Sequence, residues 1–175
     1  MSQTYESPRP YHKLLSALLE MRDMGSLLER FATNVSERTD YPLAKELFDR
    51  WAQESAKHCQ TCQYMIVYYL SLLTGDCKTC MKDIFDASFR WARIPELPEL
   101  SVGSLEKEEL CALVKKYLTM ESEAERRFSE ITEMTDDRDA KNLFIELSEA
   151  KKKQLEEIQQ FINMSGRTYG KTVEM

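Results

Sequence analysis

The segment Trp51-Ala-Gln-Glu-Ser-Ala-Lys-His58-Cys-Gln-Thr-Cys62 holds one of the chain's two histidines and two of its five cysteines. Imidazole and thiolate are ligands for zinc and iron. Cys59-x-x-Cys62 and Cys77-x-x-Cys80 together spell a four-thiolate zinc pattern. Each pair can also act alone. Cys77 and Cys80 fall in the first turn of a helix expected after Asp76, where the helix N-terminus lowers thiol pKa and suits a redox dithiol. The helical reading bears on the joint site. Tyr64 to Leu73 reads as unbroken helix, so Cys62 stands about 16 Å from its end at about 1.5 Å per residue. A Zn–thiolate bond is only about 2.3 Å, so one four-thiolate site requires a break near residue 63. Cys59, Cys62 and Cys111 also read as small, buried, reduced side chains. Cys62 lies one turn from His58, and His58, Cys62 and Glu121 form a candidate single-metal set. For His58 the other reading is a hydrogen-bonded core histidine.

These side chains need rigid elements, and periodicity predicts four long helices. The first runs from Pro10 to about Arg38 with Leu14, Leu18, Met21, Gly25, Leu28, Ala32 and Val35 on one face. Thr39 or Asp40 caps the second, with Pro42 in its first turn. Its stripe is Ala44, Leu47, Trp51, Ser55, His58, Cys62, Ile66, Tyr69 and Leu73, and Gly75 ends it. A helical piece from Cys77 to about Ala92 and the proline-broken Ile94–Leu100 form a crossover over 75–103. Ser104 is expected to cap the third helix, which carries Leu110, Val114, Tyr117, Glu121, Ala124, Phe128 and Ile131. The fourth starts after Thr135-Asp136-Asp137 and carries Ala140, Leu143, Leu147, Lys151, Gln154, Ile158 and Phe161, with Gly166 as its stop. Residues 1–9 and 165–175 are expected as tails around one bundle, 10–164, made of hairpins over about 10–74 and 104–164.

The two hairpins are copies. Ala44-Lys-Glu-Leu-Phe48 matches Ala140-Lys-Asn-Leu-Phe144 at an offset of 96 residues. The same offset sets Glu29-Arg30 on Glu125-Arg126 and Thr39-Asp40 on Thr135-Asp136. In an antiparallel bundle the helix middles meet, so Ser55, His58, Glu121, Lys151 and Gln154 are expected as a polar cluster at mid-height. Buried polar groups are costly unless paired. One turn away, Glu29, Glu54, Glu125 and either Glu146 or Glu149 make an alternative carboxylate set, or else a solvated flank.

The second hairpin, Tyr117-Leu-Thr-Met-Glu-Ser-Glu-Ala-Glu-Arg-Arg-Phe-Ser-Glu-Ile with Ala140-Lys-Asn-Leu-Phe-Ile-Glu-Leu-Ser-Glu-Ala-Lys-Lys-Lys-Gln-Leu, resembles the ferritin-like superfamily, its rubrerythrin branch in particular. The resemblance covers about residues 10–164. It implies an all-α, up-down, ferritin-like four-helix bundle of two pseudo-repeated hairpins with a long, partly helical crossover. In that family each hairpin supplies a Glu and a Glu-x-x-His to a di-iron centre. The first-helix Glu falls on Gly25 and Glu121, and the Glu-x-x-His on Ser55/His58 and Lys151/Gln154. Two of six ligands remain, and Lys151 is placed to pair with Glu121. Homodimerisation is expected by the same analogy.

Composition narrows the function classes. The chain has 175 residues, 42% hydrophobic and 31% charged, with five Gly and five Pro, as one helix-rich domain would. A net charge of −6 argues against nonspecific nucleic-acid binding. Tyr64–Leu73 is too short to span a bilayer, and no signal-peptide pattern opens the chain. Odd cysteine number fits reduced thiols or metal ligands in a cytoplasmic setting. No phosphate loop or nucleophile elbow is present. Three functions stay open. One is an iron-dependent oxidoreductase or peroxide-related protein using His58 and Glu121. Another is a non-enzymatic interaction module with no cofactor. The third is a zinc-stapled or dithiol protein using Cys59, Cys62, Cys77 and Cys80.

Overall fold

The computed structural model describes residues 11–72 and 104–169. The expected tail 1–9, Pro10, the crossover with its helix, Cys77, Cys80 and the last residues of the C-terminal tail lie outside the described residues. Four long helices fill the described part: α1 His12–Arg38, α2 Pro42–Leu72, α3 Lys107–Met134 and α4 Arg138–Tyr169. Among the described residues there is no strand, and no helix is long and apolar enough to cross a membrane.

Each hairpin turn is built from the same chemistry. Thr39 Oγ1 accepts the Tyr41 N–H at 3.3 Å, and Thr135 Oγ1 accepts the Asp137 N–H at 3.2 Å. Both threonines are extended at their helix C-caps. The 96-residue offset that relates the two threonines also relates the ends of α1 and α3 and the starts of α2 and α4. Asp137 Oδ1 caps α4 by accepting the N–H groups of Asp139 and Ala140, each at 3.0 Å.

Two boundaries differ from expectation. Residue 106, not Ser104, precedes α3 as its N-cap, with no side-chain cap bond. Ser104 Oγ instead donates to Asp40 across the turn. The helix α4 continues past Gly166 to Tyr169; an interior glycine costs a helix only about 1 kcal/mol relative to alanine and need not end it.

The helices pack chiefly as α1 on α2, α3 on α4 and α1 on α3, while α2 and α4 approach each other least. Leu105 N–H donates to Arg38 O at 3.0 Å, which sets the start of α3 beside the end of α1. At the other end the Tyr11 and Tyr69 rings lie 5.1 Å apart. So α1 runs up, α2 down, α3 also down, starting beside the upper end of α1 and antiparallel to it, and α4 up, an arrangement that requires a long connection from α2 to α3. The core contains Leu18, Leu28, Phe31, Phe48, Trp51, Tyr117, Phe128 and Phe144, all at most 1% exposed. Burial of each such side chain stabilises by roughly 1.5–3 kcal/mol. Phe48 and Ala52 join the buried face of α2, whereas Leu47 is only partly buried.

Candidate functional site

Three of the four helices bring a polar cluster to mid-height. Ser55 comes from α2, Tyr117 and Glu121 from α3, and Lys151 and Gln154 from α4, and all five are buried. The Lys151 ammonium lies 2.6 Å from Glu121 Oε2, with side chains 1% and 0% exposed. The contact is an ion pair rather than an aligned hydrogen bond, and the Tyr117 hydroxyl is the carboxylate's other polar neighbour. Lys151 Nζ also donates to Gln154 Oε1 at 3.2 Å. Gln154 Nε2 donates to Tyr117 Oη at 3.3 Å, and Ser55 Oγ lies 3.4 Å from the same oxygen. Burial, then the Glu121 charge, pushes the Tyr117 phenol well above its ordinary pKa. Tyr117 is thus a neutral hub. It is stacked on Trp51 at 5.6 Å and 14°, with Phe31 and Phe48 also against it. Sequence reading placed Tyr117 on the apolar stripe. Its spacing one turn before Glu121 was the available signal.

His58 sits at the edge of this cluster, half-buried, with its ring edge-on to Phe128 at 6.2 Å. Its Nδ1 is buried without a hydrogen-bond partner, so the expected hydrogen-bonded core histidine is not formed at that atom. Burial first, then the Lys151 and Lys57 charges, lowers its pKa to about 3. It is therefore neutral at physiological pH.

Cys62 is buried and Cys59 partly so; both, with Cys111, are free thiols. Burial is the main cause that pushes the Cys62 thiol up to about 12 and raises Cys59 too. These are the opposite of the lowered pKa values of reactive or metal-binding thiols.

Gly25 has a structural reason. A Cβ there would meet Cys59 N and Cβ at 3.2 Å and Cys59 Cα at 3.3 Å. The backbones of α1 and α2 meet closely where the family resemblance puts a carboxylate ligand, and any side chain there requires the neighbouring Cys59 to give by a few tenths of an ångström. The alternative carboxylates point to three separate places. Glu125 Oε1 accepts from Ser148 at 2.9 Å and Ser129 at 3.1 Å. Glu54 neighbours Glu157 and Arg50, and Glu29 neighbours Cys59. Among the described residues no three His, Cys, Asp or Glu side chains come together to hold a metal ion, the set His58, Cys62 and Glu121 included. A di-iron centre therefore does not fit the residues present: an ammonium and an amide stand at one expected Glu-x-x-His, a serine stands at the glutamate of the other, and Gly25 offers no carboxylate.

Two clefts among the described residues lie elsewhere. One of about 190 Å³ is lined by Lys13, Glu20, Met21 and Arg127 among others. Another of about 320 Å³ lies among the starts of α2 and α3 and the end of α4. Neither is lined by a residue of the polar cluster.

No protein-family model, curated protein or solved structure matches the chain.

Proposed function

We propose that the chain is a non-enzymatic helical bundle, ferritin-like in descent, whose core ion pair replaces a metal centre and whose outer surface serves protein association. The observation that carries this reading is Lys151 at 2.6 Å from Glu121, both fully buried. A lysine ammonium supplies in one side chain the positive charge that a metal would supply to Glu121. It also fills the space between α3 and α4. Hard cations need carboxylates, and the matching positions offer Gly25, Ser55, Lys151 and Gln154. The neutral His58 and protonated Cys62 sit in surroundings that disfavour charge.

The surface supports association. Tyr41, Leu43, Tyr64, Val67, Tyr68, Leu72 and Met164 are each 41–75% exposed, and exposed apolar groups that gather in patches mark interaction sites. The test adds Fe(II) to the full chain without oxygen, then admits air and follows near-ultraviolet absorbance in wild type and His58→Ala. The expected result is the same weak signal in both. A strong iron-dependent band lost in His58→Ala would overturn the reading.

A further inference from the structure

We propose that α2 is the seam of a twofold dimer, in which the tyrosine ridge near its C-terminus enters the apolar cleft near its N-terminus in a second copy. The proposal rests on the interaction-module reading and names the partner.

The cleft of about 320 Å³ has Tyr41, Leu43, Leu110, Phe161 and Met164 in its walls. Three of these remain open to solvent: Tyr41 at 41%, Leu43 at 51% and Met164 at 53%. The ridge is Tyr64 at 75%, Tyr68 at 48% and Leu72 at 42%. No Asp, Glu, Lys or Arg occurs between Lys57 and Asp76, in a chain that is 31% charged. Loss of charge is the compositional mark of an interface core.

Ridge and cleft share one side of α2. Leu43 and Tyr68 are 25 residues apart, which is about seven turns of 3.6 residues. Between them Leu43, Leu47, Arg50, Glu54, Lys57, Thr61, Tyr64 and Tyr68 follow alternating spacings of four and three. That is the heptad seam along which a second helix packs.

The seam is complementary to itself only in the antiparallel sense. A twofold axis between Glu54 and Lys57 sets Leu43 against Tyr68 of the second copy, Leu47 against Tyr64, Arg50 against Thr61 and Glu54 against Lys57. Every seam residue then meets another, and both ridges reach both clefts. A parallel copy would set Glu54 on Glu54, Lys57 on Lys57 and cleft on cleft. Within the single chain two cations bear on Glu54, Arg50, itself bound to Glu157 at 2.8 Å, and Lys151. Burial and the Glu157 charge both raise its carboxyl pKa. The exposed Lys57 of the second copy adds a further cation beside it.

The area is sufficient. At roughly 200 Å² for a large apolar side chain, the exposed parts of the six ridge and cleft residues offer about 600 Å² per copy. A stable interface buries about 800 Å² per partner, and the polar middle of the seam supplies the rest.

The test is sedimentation equilibrium of the full-length, reduced chain at micromolar concentration. A mass of twice 20.5 kDa is expected. Tyr68→Glu places a charge in the cleft and should weaken association at least a hundredfold. Glu54→Lys and Lys57→Glu should each weaken it about tenfold, since two facing pairs turn from attraction to repulsion. Mixing those two variants restores both pairs, so the mixture should dimerise as wild type does. Tyr68 and Lys57 are exposed, and unchanged far-ultraviolet dichroism will show that the variants fold. A monomeric wild type, a Tyr68→Glu dimer as strong as wild type, or a charge-swapped mixture no tighter than either variant alone would each overturn the seam. The iron test of the core is indifferent to these outcomes, so the two readings fail separately.

Discussion

Glu121 and Lys151 should be worth little as a pair and a great deal singly. Both side chains are withdrawn from water, 0% and 1% exposed, at 2.6 Å. Removing one partner of a buried pair leaves the other charge without compensation, at a cost of about 3–5 kcal/mol. Without Lys151 the Glu121 carboxylate keeps only the neutral Tyr117 hydroxyl as a polar neighbour, and without Glu121 the Lys151 ammonium keeps only the Gln154 amide oxygen at 3.2 Å. Glu121→Leu and Lys151→Met should therefore each lose about 3–5 kcal/mol. In a chain of this size about 1 kcal/mol corresponds to about 2–4 °C in Tm, so each single variant should melt about 10 °C lower. The double variant replaces two charges by apolar groups of similar volume, which is often neutral or stabilising by about 1–4 kcal/mol. Urea denaturation of the four proteins completes a double-mutant cycle, with an expected coupling of several kcal/mol. If the two losses simply add in the double variant, the ion pair does not neutralise the core and the reasoning fails.

Other predictions follow from neighbouring features. Gly25→Ala should destabilise by about 1–3 kcal/mol despite alanine's higher helix propensity, because the new Cβ meets Cys59 backbone atoms at 3.2 and 3.3 Å; a gain in urea midpoint would contradict the close approach of α1 and α2. The His58 pKa is lowered to about 3 from 6.5, so the unfolded chain binds a proton that the folded one rejects. Its stabilising effect is complete above pH 6.5 and is lost as pH falls toward 3, by up to about 1.4 kcal/mol per pH unit. The wild-type urea midpoint should fall over that range more steeply than that of His58→Phe, and parallel curves would refute a buried neutral imidazole. Cys62, with its thiol pushed up to about 12, should react with a thiol reagent at neutral pH only as fast as the chain opens; a rate independent of added urea would show it accessible.

Much of the fold was legible because its signals are local. The Thr-Asp turns and the first-turn proline mark the hairpins, and a repeat at 96 residues carries the same boundaries into both halves. The meeting of Glu121, Lys151, Gln154 and Ser55 followed from spacing, since residues one turn apart share a face. Gly25 was less legible. Read along the chain it is a missing ligand; the structure makes it the contact between α1 and α2, a distance that periodicity does not encode. Tyr117 fitted an apolar stripe, and its hydroxyl became significant only when Gln154 and Ser55 arrived from other helices. Ser104 had the composition of a cap, but Asp40, distant in sequence, captured its hydroxyl. The outer seam of α2 escaped notice because its middle is charged, at Arg50, Glu54 and Lys57, and only exposure distinguishes its tyrosines from core residues.

The central claim, that Lys151 has taken the place of a metal in the core, is tested most directly by the urea unfolding curve of the wild-type chain with saturating Fe(II) or Mn(II) and again with chelator. A metal held by the native core raises stability by mass action, about 2.7 kcal/mol at a hundredfold excess over Kd. The account predicts superimposable curves. A rise in midpoint with metal that disappears in Glu121→Gln would contradict it.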